Sequence, residues 1–258
     1  MQTVDIQYRP FRWLPWSRKI RGSFPSSWEE LSPEQLIALS SLSEKDPLDR
    51  LVALFSGLPR QVCRRMDPYQ LSSVWWLSEW MEKAVSCHRF VIRQIAAGRY
   101  LLESPRPGLR RMSFGQFIFA DTAYTSFLES DKPEDMDRFV ASLYLPSGQS
   151  FTDELPLRIE PEIRKVPYNV KQAILLNYSL VRRWLAGRYT LLFSLPDDNA
   201  IVEEKKPASK IKNSGSWIRV FDSLVGDDIS RHQEYADIPL HNVLRYLTAR
   251  TKDNMKKH

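Results

Sequence analysis

Phe24-Pro25-Ser26-Ser27-Trp28-Glu29-Glu30-Leu31-Ser32-Pro33-Glu34-Gln35 decides the fold class, because it ends in a helix start whose parts recur along the chain. Ser32 can accept from the amide three residues on, Pro33 is tolerated at the first helical position, and Gln35 can reach back to the cap. Leu36, Ile37, Leu39 and Leu42 then supply an apolar side up to about Ser43. Asp46-Pro47 repeats the device for Leu48, Leu51, Val52, Leu54 and Phe55, until Gly57 and Pro59 stop it. A short helical turn from Pro59 to Met66 follows. Asp67-Pro68 starts a third helix, predicted to reach about Ala84, with Leu71, Val74, Trp75, Trp76, Leu77, Trp80 and Met81 along it. Three tryptophans in six residues wrap more than one face, as in a central helix or half of an interface.

Outward from that run the periods change. Phe90-Val91-Ile92 and Tyr100-Leu101-Leu102 flank Ala96-Ala97-Gly98-Arg99, which reads as a hairpin, with helix from Val85 to Ala97 as the competing reading. Ser104-Pro105-Arg106-Pro107-Gly108 is a turn on either reading. Met112-Ser113-Phe114-Gly115-Gln116-Phe117 then opens a second helical run with another Ser-x-x-Gln cap, placing Phe117, Ala120, Tyr124, Phe127 and Leu128 on one side. Lys132-Pro133-Glu134-Asp135 opens the next helix, which carries Met136, Phe139, Val140, Leu143 and Tyr144 and ends at Pro146-Ser147-Gly148. After a polar loop to Pro156, the longest helix runs from Pro167 or Asn169 to about Phe193. Its stripe of Val170, Ile174, Val181, Leu185, Tyr189 and Leu192 is widened by Tyr178, Leu180 and Trp184, as expected for a helix packed on two sides.

The expected architecture is mainly α: a multi-helix globular domain with at most one small β-hairpin and a C-terminal helical pair. Residues 1–26 read as a basic aromatic N-terminal arm, either extended with its aromatics packed on the body or on a partner, or an N-terminal strand or arm docked on its own core. Residues 27–194 form the helical body, with the hairpin near 90–103, and residues 195–216 read as a linker. Residues 217–258 form a small helical module from Trp217–Val225 and Leu240 to about Asn254, too small to fold securely alone.

At 258 residues with 43% hydrophobic side chains, the chain can bury a real core, and nine glycines disfavour Gly-rich nucleotide-binding folds. The formal charge of +6 is uneven: residues 1–25 carry +4, residues 245–258 carry +4, and the body carries −2. A nucleic-acid-binding domain usually concentrates its basic excess on a folded face, so placement at the two ends weakens that reading. Cys63 and Cys87 are too few and too far apart for a disulfide framework or a zinc site and read as reduced thiols. Charges at Asp5, Arg9 and Arg12 interrupt any N-terminal apolar region, and no stretch approaches the roughly 20 apolar residues of a membrane span, so a soluble, cytoplasmic protein is expected.

Chemistry is hard to find. The chain has no phosphate loop, Gly-x-Gly-x-x-Gly, Gly-x-Ser-x-Gly or His-Glu-x-x-His string. His88, His232, His241 and His258 lack a second histidine or carboxylate at metal-ligand spacing, and adjacent Cys87-His88 side chains diverge. Asp121, set among aromatics, reads as a buried acid with a raised pKa, or as a polar-face residue or one hydrogen-bonded to a neighbouring helix end. No catalytic residue, metal or cofactor is expected.

The order of elements resembles the phage tail assembly chaperone-like proteins of Bacteroidetes prophages and mobile elements. Pro25 to Gln35 is similar to a "P-x-x-W-x-E-L-[ST]-x-E-Q" opening, and Met112 to Phe117 followed by Ala120-Asp121-Thr122-Ala123-Tyr124 to the mid-chain helix. Leu143-Tyr144-Leu145-Pro146-Ser147-Gly148 is similar to the element that closes the helix after it, and the helices from Trp217 share the look. The resemblance implies a helical, non-enzymatic protein that binds the tape measure protein or another tail structural protein before assembly. Such a partner calls for aromatic and aliphatic grooves, and Trp75, Trp76, Trp80, Phe117, Tyr124 and Phe127 are the expected face. The alternative is a nucleic-acid-associated protein using Arg9, Arg12, Trp13, Trp16, Arg18, Lys19 and Arg21.

Overall fold

The computed structural model describes residues 1–9, 16–43, 45–81, 87–193, 215–226 and 229–256. Helical conformation covers 61% of the described residues, which makes the protein mainly α, as the caps and periods predict. The chain divides into two compact units, Met1–Cys87 and His88–His258. The division falls at Cys87 rather than at the expected linker, and the C-terminal helices belong to the second unit. The expected linker, residues 195–216, lies almost wholly outside the described residues.

The first unit opens with strand, one of the readings weighed for residues 1–26, but as a two-stranded ribbon. Strands β1 (Gln2–Tyr8) and β2 (Arg18–Phe24) pair antiparallel, with Ile6 opposite Ile20 and Val4 opposite Gly22. The described residues therefore contain two small sheets where at most one hairpin was expected, and residues 18–24 are strand rather than irregular arm. One sheet face turns inward. Gly22 lies so close to the next layer that an added Cβ would stand 3.3 Å from Ser56 and Leu58. Buried Phe24 stacks on Phe55 at 5.8 Å, and Phe55 meets Trp75 edge-on at 5.9 Å.

The described residues of that unit also form helices α1 (Pro33–Ser40), α2 (Leu48–Ser56), α3 (Arg60–Cys63) and α4 (Pro68–Trp75). The caps predicted at Ser32 and Asp67 are both full capping boxes, reciprocated by Gln35 and Gln70. Asp46 behaves differently. Its carboxylate accepts from the Ser43 amide at 2.8 Å and pairs with Arg50 at 2.5 Å, so α2 starts without a side-chain cap. Beyond Trp75 the chain tightens into a 3-10 turn, Trp76–Met81, and the rest of the predicted helix, residues 82–84, lies outside the described residues.

The second unit begins with the expected hairpin. Strands β3 (Gln94–Ala97) and β4 (Tyr100–Glu103) are joined by Gly98-Arg99, with Gly98 at φ +56°, and β5 (Leu145–Pro146) adds to β4. Helices α5 (Phe114–Ser130), α6 (Pro133–Leu143), α7 (Leu155–Ile163) and α8 (Tyr168–Arg188) surround a core in which Tyr124, Phe139 and Tyr178 meet at 5.0 to 5.7 Å. Helix α7 lay beyond the sequence reading, which ended its loop at Pro156. The last helices are α9 (Gly215–Val225), α10 (His232–Asp237) and α11 (Leu240–Lys256).

These last helices complete the core of their unit instead of forming a separate module. Trp217, 2% exposed, sets its indole edge-on to Phe117 at 5.3 Å and to Phe114 at 6.2 Å. The Phe114 amide donates to the Ile238 carbonyl at 2.8 Å and the Leu240 amide to the Met112 carbonyl at 2.9 Å. Among the described residues, no helix is long and apolar enough to cross a membrane.

Candidate partner-binding groove

Helix α5 is apolar nearly all round, and its two sides do different work. Phe117, Ala120, Tyr124 and Phe127 point into the core, at 0 to 7% exposure. The opposite side, with Phe119, Thr122, Ala123 and Ser126, forms one wall of a cavity of about 550 Å³. Helices α6 and α7 supply Ser142, Pro156 and Leu157, and α9 and α10 supply Ile218, Phe221 and Ala236. The α5 and α10 backbones close one end of it. A Cβ on Gly115 would stand 3.0 Å from that of Ala236, so only glycine allows this approach without a shift.

Phe119, Leu157 and Ile218 remain 39%, 68% and 44% exposed, an open apolar surface inside an otherwise polar rim. Thr122 lines this space, and its hydroxyl oxygen is buried without a hydrogen-bond partner among the described residues.

The rim is acidic on balance. Asp135, Asp153 and Asp222 line it, against one cation, Arg138, which pairs with Asp135 and Glu160 at 3.7 Å each. His232 borders the mouth and packs edge-on to Phe221 at 5.4 Å. Such a site holds an apolar group by burial and selects cations at its edges.

The expected binding residues are redistributed by the fold. Trp75, Trp76 and Trp80 belong to the first unit and Phe117, Tyr124 and Phe127 to the second. The α5 trio is core, which corrects its assignment to a binding face. Trp75 and Trp80 are half-buried, Trp80 meeting Trp28 edge-on at 5.3 Å, and Trp76 alone of the six stands open, at 70%. Phe119, Leu157, Ile218 and Phe221, which do line a groove, were not singled out. Phe119 carried a signal, because it sits two residues off the Phe117–Tyr124 stripe on a helix with apolar residues on both sides.

The residues of the nucleic-acid alternative also spread out. Arg9, Trp16, Arg18 and Lys19 are exposed, Arg21 pairs with Asp5 at 3.0 Å, and Arg12 and Trp13 lie outside the described residues. Asp121 is both buried, at 1% exposure, and bonded to a neighbouring helix; it is not on a polar face. Its carboxylate accepts from Arg182 Nε at 2.7 Å and from the Tyr178 hydroxyl at 3.0 Å, tying α5 to α8. Burial, reinforced by the Asp121 charge, pushes the Tyr178 phenol well above its ordinary range and keeps it a donor. A second buried pair, Lys171 and Asp137 at 2.5 Å, joins α8 to α6. Cys63 and Cys87 are buried and are not joined in a disulfide. Among the described residues no cluster of His, Cys, Asp and Glu is arranged to hold a metal ion.

Compared with known proteins, the chain matches no family model, no curated protein and no solved structure.

Proposed function

We propose that this chain is a non-enzymatic assembly protein of the phage tail chaperone type, whose α5–α7–α9–α10 groove shields an amphipathic helix of a tail structural protein. The observation that carries the reading is the open apolar strip of Phe119, Leu157 and Ile218 between helices. A helix laid in a groove offers side chains at i, i+3, i+4 and i+7, which matches an apolar floor flanked by polar walls. The acidic rim favours a partner whose apolar stripe is bordered by lysine or arginine. Long tail proteins such as the tape measure protein present such stripes, and the sequence resemblance points to the same partner class.

The test is a tagged pull-down from cells carrying the whole element, washed at low salt and at about 0.5 M salt, where exposed charge contacts are largely screened. Wild type and L157E are compared, with bound protein and nucleic acid both identified. The expected result is a long helical tail protein that stays bound at high salt and is lost with L157E. Recovery of nucleic acid alone, or a helical partner held equally by L157E, would overturn the reading.

A further inference from the structure

Residues 104–120, 168–193 and 238–252 contain no carboxylate side chain. The second unit brings a point of each together at Gly108. A Cβ there would stand 3.0 Å from the Trp184 ring of α8, and His241 of α11 donates from Nε2 to the Gly108 carbonyl at 2.6 Å. Because a carbonyl only accepts, the other ring nitrogen is left to accept from the Tyr189 hydroxyl, at 2.8 Å.

The turn fixed in this way is strained. Gly108, Leu109 and Arg111 all have positive φ, at +67°, +56° and +66°, and the last two are positions where a side chain is disfavoured. The Gly108 amide donates to the His88 carbonyl at 2.5 Å, Arg106 and Arg110 form an antiparallel bridge, and Leu109 is buried. Backbone strain of this kind persists only where the surroundings over-determine it. Arg106, Arg110 and Arg111 therefore project from a rigid base.

Two more arginines join them. The Arg188 guanidinium lies 5.8 Å from the Trp184 ring centroid. Arg245 follows His241 by one helical turn, with Nη2 on the Asn242 side-chain oxygen at 2.6 Å. All five are exposed, and among the described residues none meets a carboxylate, whereas Arg138, Arg164 and Arg182 of the same unit each do. The acidic residue just before α11, Asp237, accepts from Gln233 at 3.1 Å.

We propose that this face binds the phosphodiester backbone of a single-stranded nucleic acid. Guanidinium forks match phosphate oxygens two at a time, and an absence of carboxylates leaves their potential uncancelled. Tyr246, 55% exposed beside Arg245, offers a ring on which an unpaired base can stack. Leu109, the one branched aliphatic side chain of residues 104–111, is buried and so offers no anchor to an acidic peptide.

The test is fluorescence anisotropy of the full chain with a labelled single-stranded oligonucleotide of about 20 nucleotides, across a salt series of about 50 to 300 mM. R106A/R110A/R111A should weaken binding at least about tenfold and flatten the log–log salt slope by about 2, since each lost phosphate contact removes about 0.7. R106K/R110K/R111K should keep most of the slope, and R9A/R18A/K19A in the first unit should leave affinity and slope unchanged. If the alanine triple melts early, R188Q/R245Q, on helices, carries the test with an expected loss of about tenfold. The proposal is overturned if the loop variants bind like wild type, if the first-unit triple abolishes binding instead, or if polyglutamate displaces the oligonucleotide at equal charge concentration.

Discussion

Gln35 and Gln116 stand in the same relation to their helix pairs. Gln35 Nε2 donates to the Leu54 and Phe55 carbonyls at the end of α2, at 3.1 and 3.3 Å. Gln116 Nε2 donates to the Ser142 and Leu143 carbonyls at the end of α6, again at 3.1 and 3.3 Å. Each glutamine sits three residues after its capping serine and closes the open carbonyl end of the following helix. Gln35 also returns its side-chain oxygen to the Ser32 amide, at 2.9 Å. Replacing Gln116 by Ala should cost about 1–3 kcal/mol, because it strips a donor from buried carbonyls. Q35A, in a half-buried setting, should cost less, and urea melts of the two variants check the order.

The Asp137–Lys171 pair, 7% and 8% exposed, gives the largest single effect. D137A leaves the ammonium buried and unpaired and should destabilise by about 3–5 kcal/mol. D137L/K171M, which removes both charges, should recover most of that loss. Equal destabilisation by the single and double variants in denaturant melts would refute this account.

Leu157 and Thr122 separate binding from folding. L157E changes a side chain already 68% exposed and should move stability by less than about 0.5 kcal/mol while abolishing partner retention. T122V removes a hydroxyl that has no partner and should leave the free protein as stable or raise it by about 1 kcal/mol. Calorimetry on both variants, with and without the captured partner, reads out the distinction.

Glu30 gives the pH dependence of the first unit. The Met1 amino group, then the Ser26 amide and hydroxyl, hold its carboxyl at about 2 against an ordinary 4.5. A depressed folded-state value means the stabilisation is complete above about 4.5 and is lost as pH falls toward 2. S26A should raise this value and N-terminal acetylation should raise it further, both measurable by NMR titration of the Glu30 side chain.

Local chemistry was legible in the sequence, and long-range assignment was not. The Ser32 and Asp67 boxes involve residues three apart, so the letters alone specify them. The second half of the Ser113 motif does not return to its cap, although Gln116 donates to carbonyls 26 and 27 residues later just as Gln35 donates to those at the end of α2. Period failed where a helix is apolar on two sides: on α5 it identified the Phe117–Tyr124 stripe without telling core from surface. The β1–β2 ribbon carried a period-2 signal in Val4, Ile6 and Tyr8 and in Ile20 and Phe24, which the prolines and aromatics between them obscured. The groove itself joins residues of five helices, and no spacing within one segment can report that.

The closure of α5 by Trp217 and by the Met112–Leu240 and Phe114–Ile238 hydrogen bonds orders events on the ribosome. All residues of the first compact unit have been synthesised by Cys87, so it is free to fold while the rest of the chain is being made. Helix α5 emerges with Phe114 and Phe117 uncovered, and their lids arrive about a hundred residues later. At about 5–20 residues per second, that interval lasts several seconds. The nascent chain therefore carries a sticky aromatic helix through much of its own translation, and it is most in need of protection before residue 240 has left the exit tunnel.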